Sequence, residues 1–160
     1  MKASNFLNKL KKEDSLKLVE PSEDISKSYL IKSEKCIKVA ELAYNAGIYE
    51  NAISEAYYSI YNSVLSLFYK CGIKCENHAG SILLLTLLFG EEELFKIISD
   101  AKKERIDKQY YVTTEKDDIT KEIAVELLNN AEDFVLKMKV VVKKLNNDLI
   151  DELRNKFETI

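Results

Sequence analysis

Between Ala52 and Gly72 the chain reads AISEAYYSIYNSVLSLFYKCG, with Tyr57, Tyr58, Tyr61 and Tyr69 set among aliphatic and small residues. On a helix, positions i, i+1 and i+4 span too wide an arc for one narrow stripe. A helix carrying tyrosines at 57, 58 and 61 must therefore be covered on several sides. Each phenol that is buried also needs a hydrogen-bond partner. The segment predicts the central helix of a bundle.

The remainder of the chain supplies helices to surround it. One Pro and four Gly in 160 residues leave element interiors almost free of breakers. A short first helix is predicted over roughly Ser4 to Asp14, with Phe6, Leu7 and Leu10 on one side. Pro21 follows a loop, and Ser22 can cap a second helix whose stripe is Ile25, Tyr29, Cys36, Ile37, Ala40, Ala43 and Tyr44. Gly47 ends that helix. The tyrosine-bearing helix runs from about Tyr49 to Cys71, with Ile53, Ala56, Tyr57, Ile60, Val64, Leu67 and Phe68 inward, and Gly72 stops it. Asn77 or His78 opens a fourth helix to Phe89, apolar nearly all round and so buried. A fifth, amphipathic helix spans residues 91–111, with acidic residues at its start where the helix dipole favours them. Thr113 to Asp118 reads as a loop. A stripe of Ile123, Leu127, Ala131, Phe134, Met138, Val141, Leu145, Leu149 and Leu153 then marks a last helix from Ile119 to about Phe157. At 1.5 Å per residue it would be roughly 55–60 Å long. It must break near Asn146-Asn147-Asp148 or project onto a partner. No segment shows convincing strand alternation. The expected fold is all-α: an antiparallel, up-and-down bundle of four to five helices in one domain over residues 1–160, with a short N-terminal and a long C-terminal helix.

Composition narrows the function classes. A net charge of −3 argues against a generally basic nucleic-acid glove while leaving room for a local site. Of the cations, 22 are Lys and two are Arg, Arg105 and Arg154. Only Arg offers the planar fork that grips a phosphate at two points, so both positions warrant inspection. Cys36, Cys71 and Cys75 are odd in number, no secretory signal is visible, and the longest apolar run, Ile82 to Phe89, is too short for a membrane span. Free thiols in a reducing cytoplasm, and no membrane association, are the expectation.

Read in order, the chain carries AxxxGxYxxAxxxAYY from Ala43 to Tyr58, Gly72-Ile73, His78, Arg105-x-x-x-x-Tyr110, and AxxF at Ala131 and Phe134. Over about residues 25–140 this pattern resembles the HEPN family, and within it the small stand-alone prokaryotic proteins often encoded beside a minimal nucleotidyltransferase. Residues from about 141 to 160 fall beyond the resemblance as a C-terminal helical extension. The resemblance implies a helical bundle that commonly dimerises. In active members it implies a ribonuclease site of Arg, four to six residues, then His, duplicated across the dimer. Imidazole moves the ribose 2′-hydroxyl proton there, and Arg neutralises charge on the phosphate. Here Tyr110 stands five residues after Arg105, no His follows it, Gln109 replaces an acidic residue common in relatives, and Glu55 stands where Arg is frequent. Each departure removes a charge or a proton carrier useful for RNA cleavage.

The candidate site follows. Arg105, Tyr110, His78, Lys102 and Lys108 are expected to contact nucleotide or RNA. Tyr110 and Tyr111 are positions where, by the resemblance, a nucleotidyltransferase partner could attach nucleotides. Tyr57, Tyr58 and Tyr61 read as core and interface residues, and His78 alternatively as a helix cap. Cys71, Cys75 and His78 offer three ligands where a structural zinc takes four, so neither metal nor cofactor is expected. The reading is a toxin-like component, homodimeric, binding rather than cutting its ligand. Its rivals are a divergent metal-independent ribonuclease using Arg105 and His78 across a dimer, and a non-catalytic helical interaction protein.

Overall fold

The structure is a computed structural model that describes residues 2–110 and 117–160. Seven helices follow in order: α1 (Lys2–Lys12), α2 (Glu23–Asn45), α3 (Tyr49–Lys70), α4 (His78–Phe89), α5 (Glu92–Tyr110), α6 (Asp117–Lys144) and α7 (Asn147–Thr159). The fold is all-α, with α3 at its centre packed against α2, α5 and α6. Ile53, Ala56, Tyr57, Ile60, Val64, Leu67 and Phe68 of α3 are all buried, as the period of the sequence requires. Facing them, α6 buries Ala124, Ala131, Phe134 and Met138.

Two features differ from the sequence expectation. Leu16–Leu18 (β1) and Ile73–Cys75 (β2) pair antiparallel, Leu16 opposite Cys75 and Leu18 opposite Ile73. Three residues per strand are too few for a recognisable alternation, so nothing local announced them. The inward seam of α2 is also not its large apolar residues. Ser26, Ser33 and Ala40, seven apart, are buried, whereas Ile25 is 43% exposed. Ser26 Oγ meets Ser66 Oγ at 2.9 Å, and Ser33 Oγ donates to the Ser59 carbonyl at 2.7 Å. Small hydroxyl residues let the two backbones approach closely while satisfying one another. A period-3.6 search for large apolar residues does not register such a seam.

Local signals place the helix ends. Ser22 Oγ accepts from the Ile25 amide, Asn77 Oδ1 from the Gly80 amide, and Asn146 Oδ1 from the Leu149 amide. Asn77 is thus the cap of α4, which releases His78 from that role. Asn146 resolves the over-long C-terminal stripe: the helix stops at Lys144 and restarts at Asn147. The restarted helix α7 folds back and buries Ile150 and Phe157, while of the expected stripe Leu153 is partly covered and Leu149 is exposed. Of the two alternatives, a break near Asn146-Asn147-Asp148 or projection onto a partner, the chain takes the break. The loop expected over Thr113 to Asp118 lies outside the described residues up to position 116, and Asp117 and Asp118 already belong to α6.

The fold-back is fastened by the second arginine. Arg154 Nη1 donates to the carbonyls of Val19 (2.8 Å), Cys71 (3.0 Å) and Gly72 (3.0 Å). Gly72 sits at φ +68, and a Cβ there would lie 2.2 Å from Arg154 Nη1 and 2.4 Å from the Val19 carbonyl oxygen. Glycine is required by both backbone and space. Lys11 adds a bond to the Phe157 carbonyl (2.8 Å), joining α1 to α7. Arg154→Ala should leave three carbonyls poorly satisfied and cost about 2 kcal/mol, hydrogen bonds from a charged donor being worth about 1.5–3 kcal/mol. Thermal unfolding should show a Tm lowered by roughly 4–8 °C for a chain of this size. An unchanged Tm would mean that α7 is not held through Arg154.

Candidate functional site

Three tyrosines of α3 form the floor of the site. Tyr57 is fully buried, Tyr61 nearly so, and Tyr58 is half-buried. Consecutive positions 57 and 58 point about 100° apart on a helix, and 61 returns almost over 57. The Tyr57 and Tyr61 rings accordingly stack with centroids 6.1 Å apart. At the start of α4, the His78 imidazole stacks on Tyr61 at 3.9 Å with the rings 9° from parallel. Its Nδ1 lies 2.6 Å from the Tyr57 hydroxyl. From α5, Arg105 Nη1 donates to the Tyr58 hydroxyl at 2.9 Å, with the guanidinium 5.2 Å from the Tyr57 ring and 5.5 Å from the Tyr58 ring. Such cation–π placement suits a weakly hydrated planar cation.

Arg105 and His78, 27 residues apart in sequence, are therefore brought to one tyrosine pair from two helices. Arg105 is only 9% exposed, so it does not belong to a solvated basic face. Lys102, one turn earlier on α5, is half-buried and close enough to His78 to influence its charge. The backbone of Tyr110 ends α5, but the side chains of Lys108 and Tyr110, and Tyr111 altogether, lie outside the described residues. The sequence reads Tyr57, Tyr58 and Tyr61 as core and interface residues; in the structure the hydroxyls of Tyr57 and Tyr58 also meet His78 and Arg105, and the Tyr61 ring stacks on His78. The usable signal was the demand of buried phenols for partners.

The electrostatics follow from burial beneath two cations. Burial, then Arg105, then Lys102 hold the His78 imidazole below its ordinary value of 6.5. Burial foremost pushes the phenol of Tyr57 up, and that of Tyr61 to about 12. Both hydroxyls keep their protons at neutral pH. The Tyr57 hydroxyl and His78 Nδ1 share one hydrogen bond whose direction is set by the imidazole tautomer.

A cleft of about 400 Å³ opens beside this cluster, walled by Tyr29, Tyr58, Tyr61 and His78, with Lys32 and Asn62 adding polar groups and Glu55 a carboxylate. Aromatic walls with a few polar groups can stack a base and hold its edge. A cavity of about 450 Å³ between α5 and α6 has the opposite character: Glu93, Asp100, Glu104 and Glu126 outnumber Lys96 and Lys103. That balance disfavours a phosphate. Among the described residues, no group of three or more His, Cys, Asp or Glu is placed to hold a metal ion. Burial pushes the Cys36 thiol up to about 11 and the Cys71 thiol to about 12, far from reactive thiolates. Among the described residues, no helix is long and apolar enough to cross a membrane.

Residues 26–141 match the model of the HEPN domain. A UPF0332 protein of Archaeoglobus fulgidus is 29% identical over 118 residues, covering 71% of this chain and 91% of that protein. Two Methanocaldococcus jannaschii proteins, each named a "putative toxin", are 32% identical over 113 residues and 29% identical over 118, covering 75% and 85% of their own lengths. The chain belongs to the HEPN domain family. Its matched region holds α3, α4, α5 and the whole Tyr57–His78–Arg105 cluster, whereas α1 and α7 lie outside it.

The depressed His78 makes a pH prediction whose sign is fixed. The unfolded chain takes up the imidazole proton near 6.5, and the folded chain does so only at lower pH. This contribution is thus complete above about 6.5 and is lost as pH falls through the folded value. Urea unfolding between pH 7.5 and 5.5 should show wild type losing stability toward acid more steeply than His78→Gln. Parallel curves would show that His78 is not held neutral by its surroundings.

Proposed function

We propose that this chain is a toxin-like HEPN protein that binds a phosphate-bearing nucleotide or RNA at the Tyr58–His78–Arg105 cluster, and holds it without cutting it efficiently. The observation that carries this reading is the convergence of Arg105 and His78 on adjacent tyrosines at the edge of an aromatic cleft. Arg105 and Lys102, which after burial help hold His78 below its ordinary value, also supply a positive field that attracts an anion. Tyr58, Tyr61 and His78 offer ring faces to a base. The names of the two Methanocaldococcus relatives support the toxin-like character.

The ribonuclease rival has one observation in its favour, a neutral imidazole beside an arginine. Against it, Tyr110 and not His stands five residues after Arg105, and no His follows it. Binding is therefore expected to outlast cleavage. A homodimer and a nucleotidyltransferase partner, with Tyr110 or Tyr111 as acceptor, complete the proposal by family analogy. Apolar side chains exposed on α2 (Ile31, Val39, Leu42) and on α6 (Leu136, Val140) supply surface for such assembly.

The test is titration of labelled single-stranded RNA, with the same samples run on a denaturing gel. Wild type should bind in a salt-sensitive manner and leave the RNA intact. Lys102→Gln should weaken binding about three- to tenfold with an unchanged melting temperature, the size of one lost phosphate contact. Arg105→Ala is a poor probe alone, because it uncovers two tyrosines and should also destabilise the fold. Arg105→Lys keeps the charge and loses the fork. No binding to RNA or nucleotide would overturn the proposal, and efficient cleavage abolished by His78→Gln would install the ribonuclease in its place.

A further inference from the structure

A second cleft adjoins the first. Phe6 of α1, Ile82 and Leu83 of α4, and Phe95, Ser99 and Lys102 of α5 line a largely apolar hollow of about 390 Å³, which also touches Ala79. Ile82 forms a buried floor, while Phe6, Leu83 and Phe95 are only partly covered. Consecutive residues at the start of α4 face the two hollows: His78 walls the tyrosine cleft and Ala79 the apolar one. Lys102 lines the second hollow and, among the described residues, is its one cation.

Two aromatic hollows that meet at consecutive residues of one helix start, with a cation on the wall of the second, match a chemical repeat: base, phosphodiester, base. We propose that the Phe6–Phe95 hollow is a second base subsite, so that the site takes two successive nucleotides of a single strand with the linking phosphate at Lys102. This rests on the nucleotide-binding reading above and extends it, by making the strand and not the mononucleotide the preferred ligand. The occupant is set by continuity with the tyrosine cleft and by the charge of Lys102. A lone apolar solute would leave that ammonium unused, and a lone mononucleotide would leave the second hollow empty. Phenylalanine faces stack any base, so this subsite is sequence-tolerant. Phe6 stands outside residues 26–141, so the subsite is completed by the N-terminal helix and not by the matched family region alone.

The experiment compares AMP with the dinucleotide ApA and its deoxy counterpart on the full chain, by calorimetry. Wild type should bind ApA about tenfold more tightly than AMP, the scale of one added base–aromatic stack. Phe95→Ala should remove most of that difference and leave AMP affinity unchanged. Because Phe95→Ala could disturb packing, Ser99→Glu provides a second variant. It places a carboxylate beside Lys102 without emptying the core, and should weaken ApA more than AMP at an unchanged circular dichroism melting temperature. The deoxy dinucleotide binding equally well would support the two subsites and assign them to strands of either sugar. AMP and ApA binding equally, or both variants leaving the ratio untouched, would overturn the second subsite alone. Failure of every one of these ligands to bind would overturn it together with the functional reading.

Discussion

The rest of the structure depends on what is done with the polar end of Tyr57. Its ring is fully buried at the centre of the bundle, where an unpartnered hydroxyl would cost on the order of 1–3 kcal/mol. The hydroxyl meets His78 Nδ1 from α4, and the ring face receives Arg105 from α5. One side chain thus fixes the relative placement of three helices. That arrangement makes Arg105 and His78 neighbours, although neither the spacing in sequence nor the family's usual motif would pair them. Stability and site are the same contacts here. The cluster is rigid because it is half core, and it is polar because phenols cannot be buried bare.

The helix opposite is held by a different device. α2 presents Ser26, Ser33 and Ala40 to α3 and leaves Ile25, Ile31, Val39 and Leu42 outward. Close approach through small residues gains dispersion contacts between backbones, and the Ser26–Ser66 and Ser33–Ser59 pairs leave no hydroxyl stranded. The cost is an apolar outer face on a chain that is otherwise well charged.

Much of the fold was legible because its signals are local. Asn77, Gly72, Gly90, Ser22 and Asn146 announce helix ends through cap chemistry that needs no knowledge of tertiary structure. The α3 stripe was legible for the same reason, a strong period over six turns. The serine seam of α2 was not, since polarity scales count Ser as outward and its burial depends on a matching serine 26 or 40 residues away. The paired strands and the Arg154 latch were equally hidden. They join segments 57 and more than 80 residues apart, and their hydrogen bonds go to backbone carbonyls that carry no sequence signature.

The site was legible as a list and not as a geometry. Arg105 and His78 stood out by scarcity and by family position, and the structure sets both against one tyrosine array. What scarcity could not reveal is that Arg105 is inward. Burial takes the guanidinium out of water, and the Tyr58 hydroxyl with the Tyr57 and Tyr58 rings replaces part of that hydration. Arg105 is held by Tyr58 and His78 by Tyr57, so a change at either tyrosine reaches the cluster. The same buried tyrosines that make the bundle stable therefore also set the geometry of the candidate site.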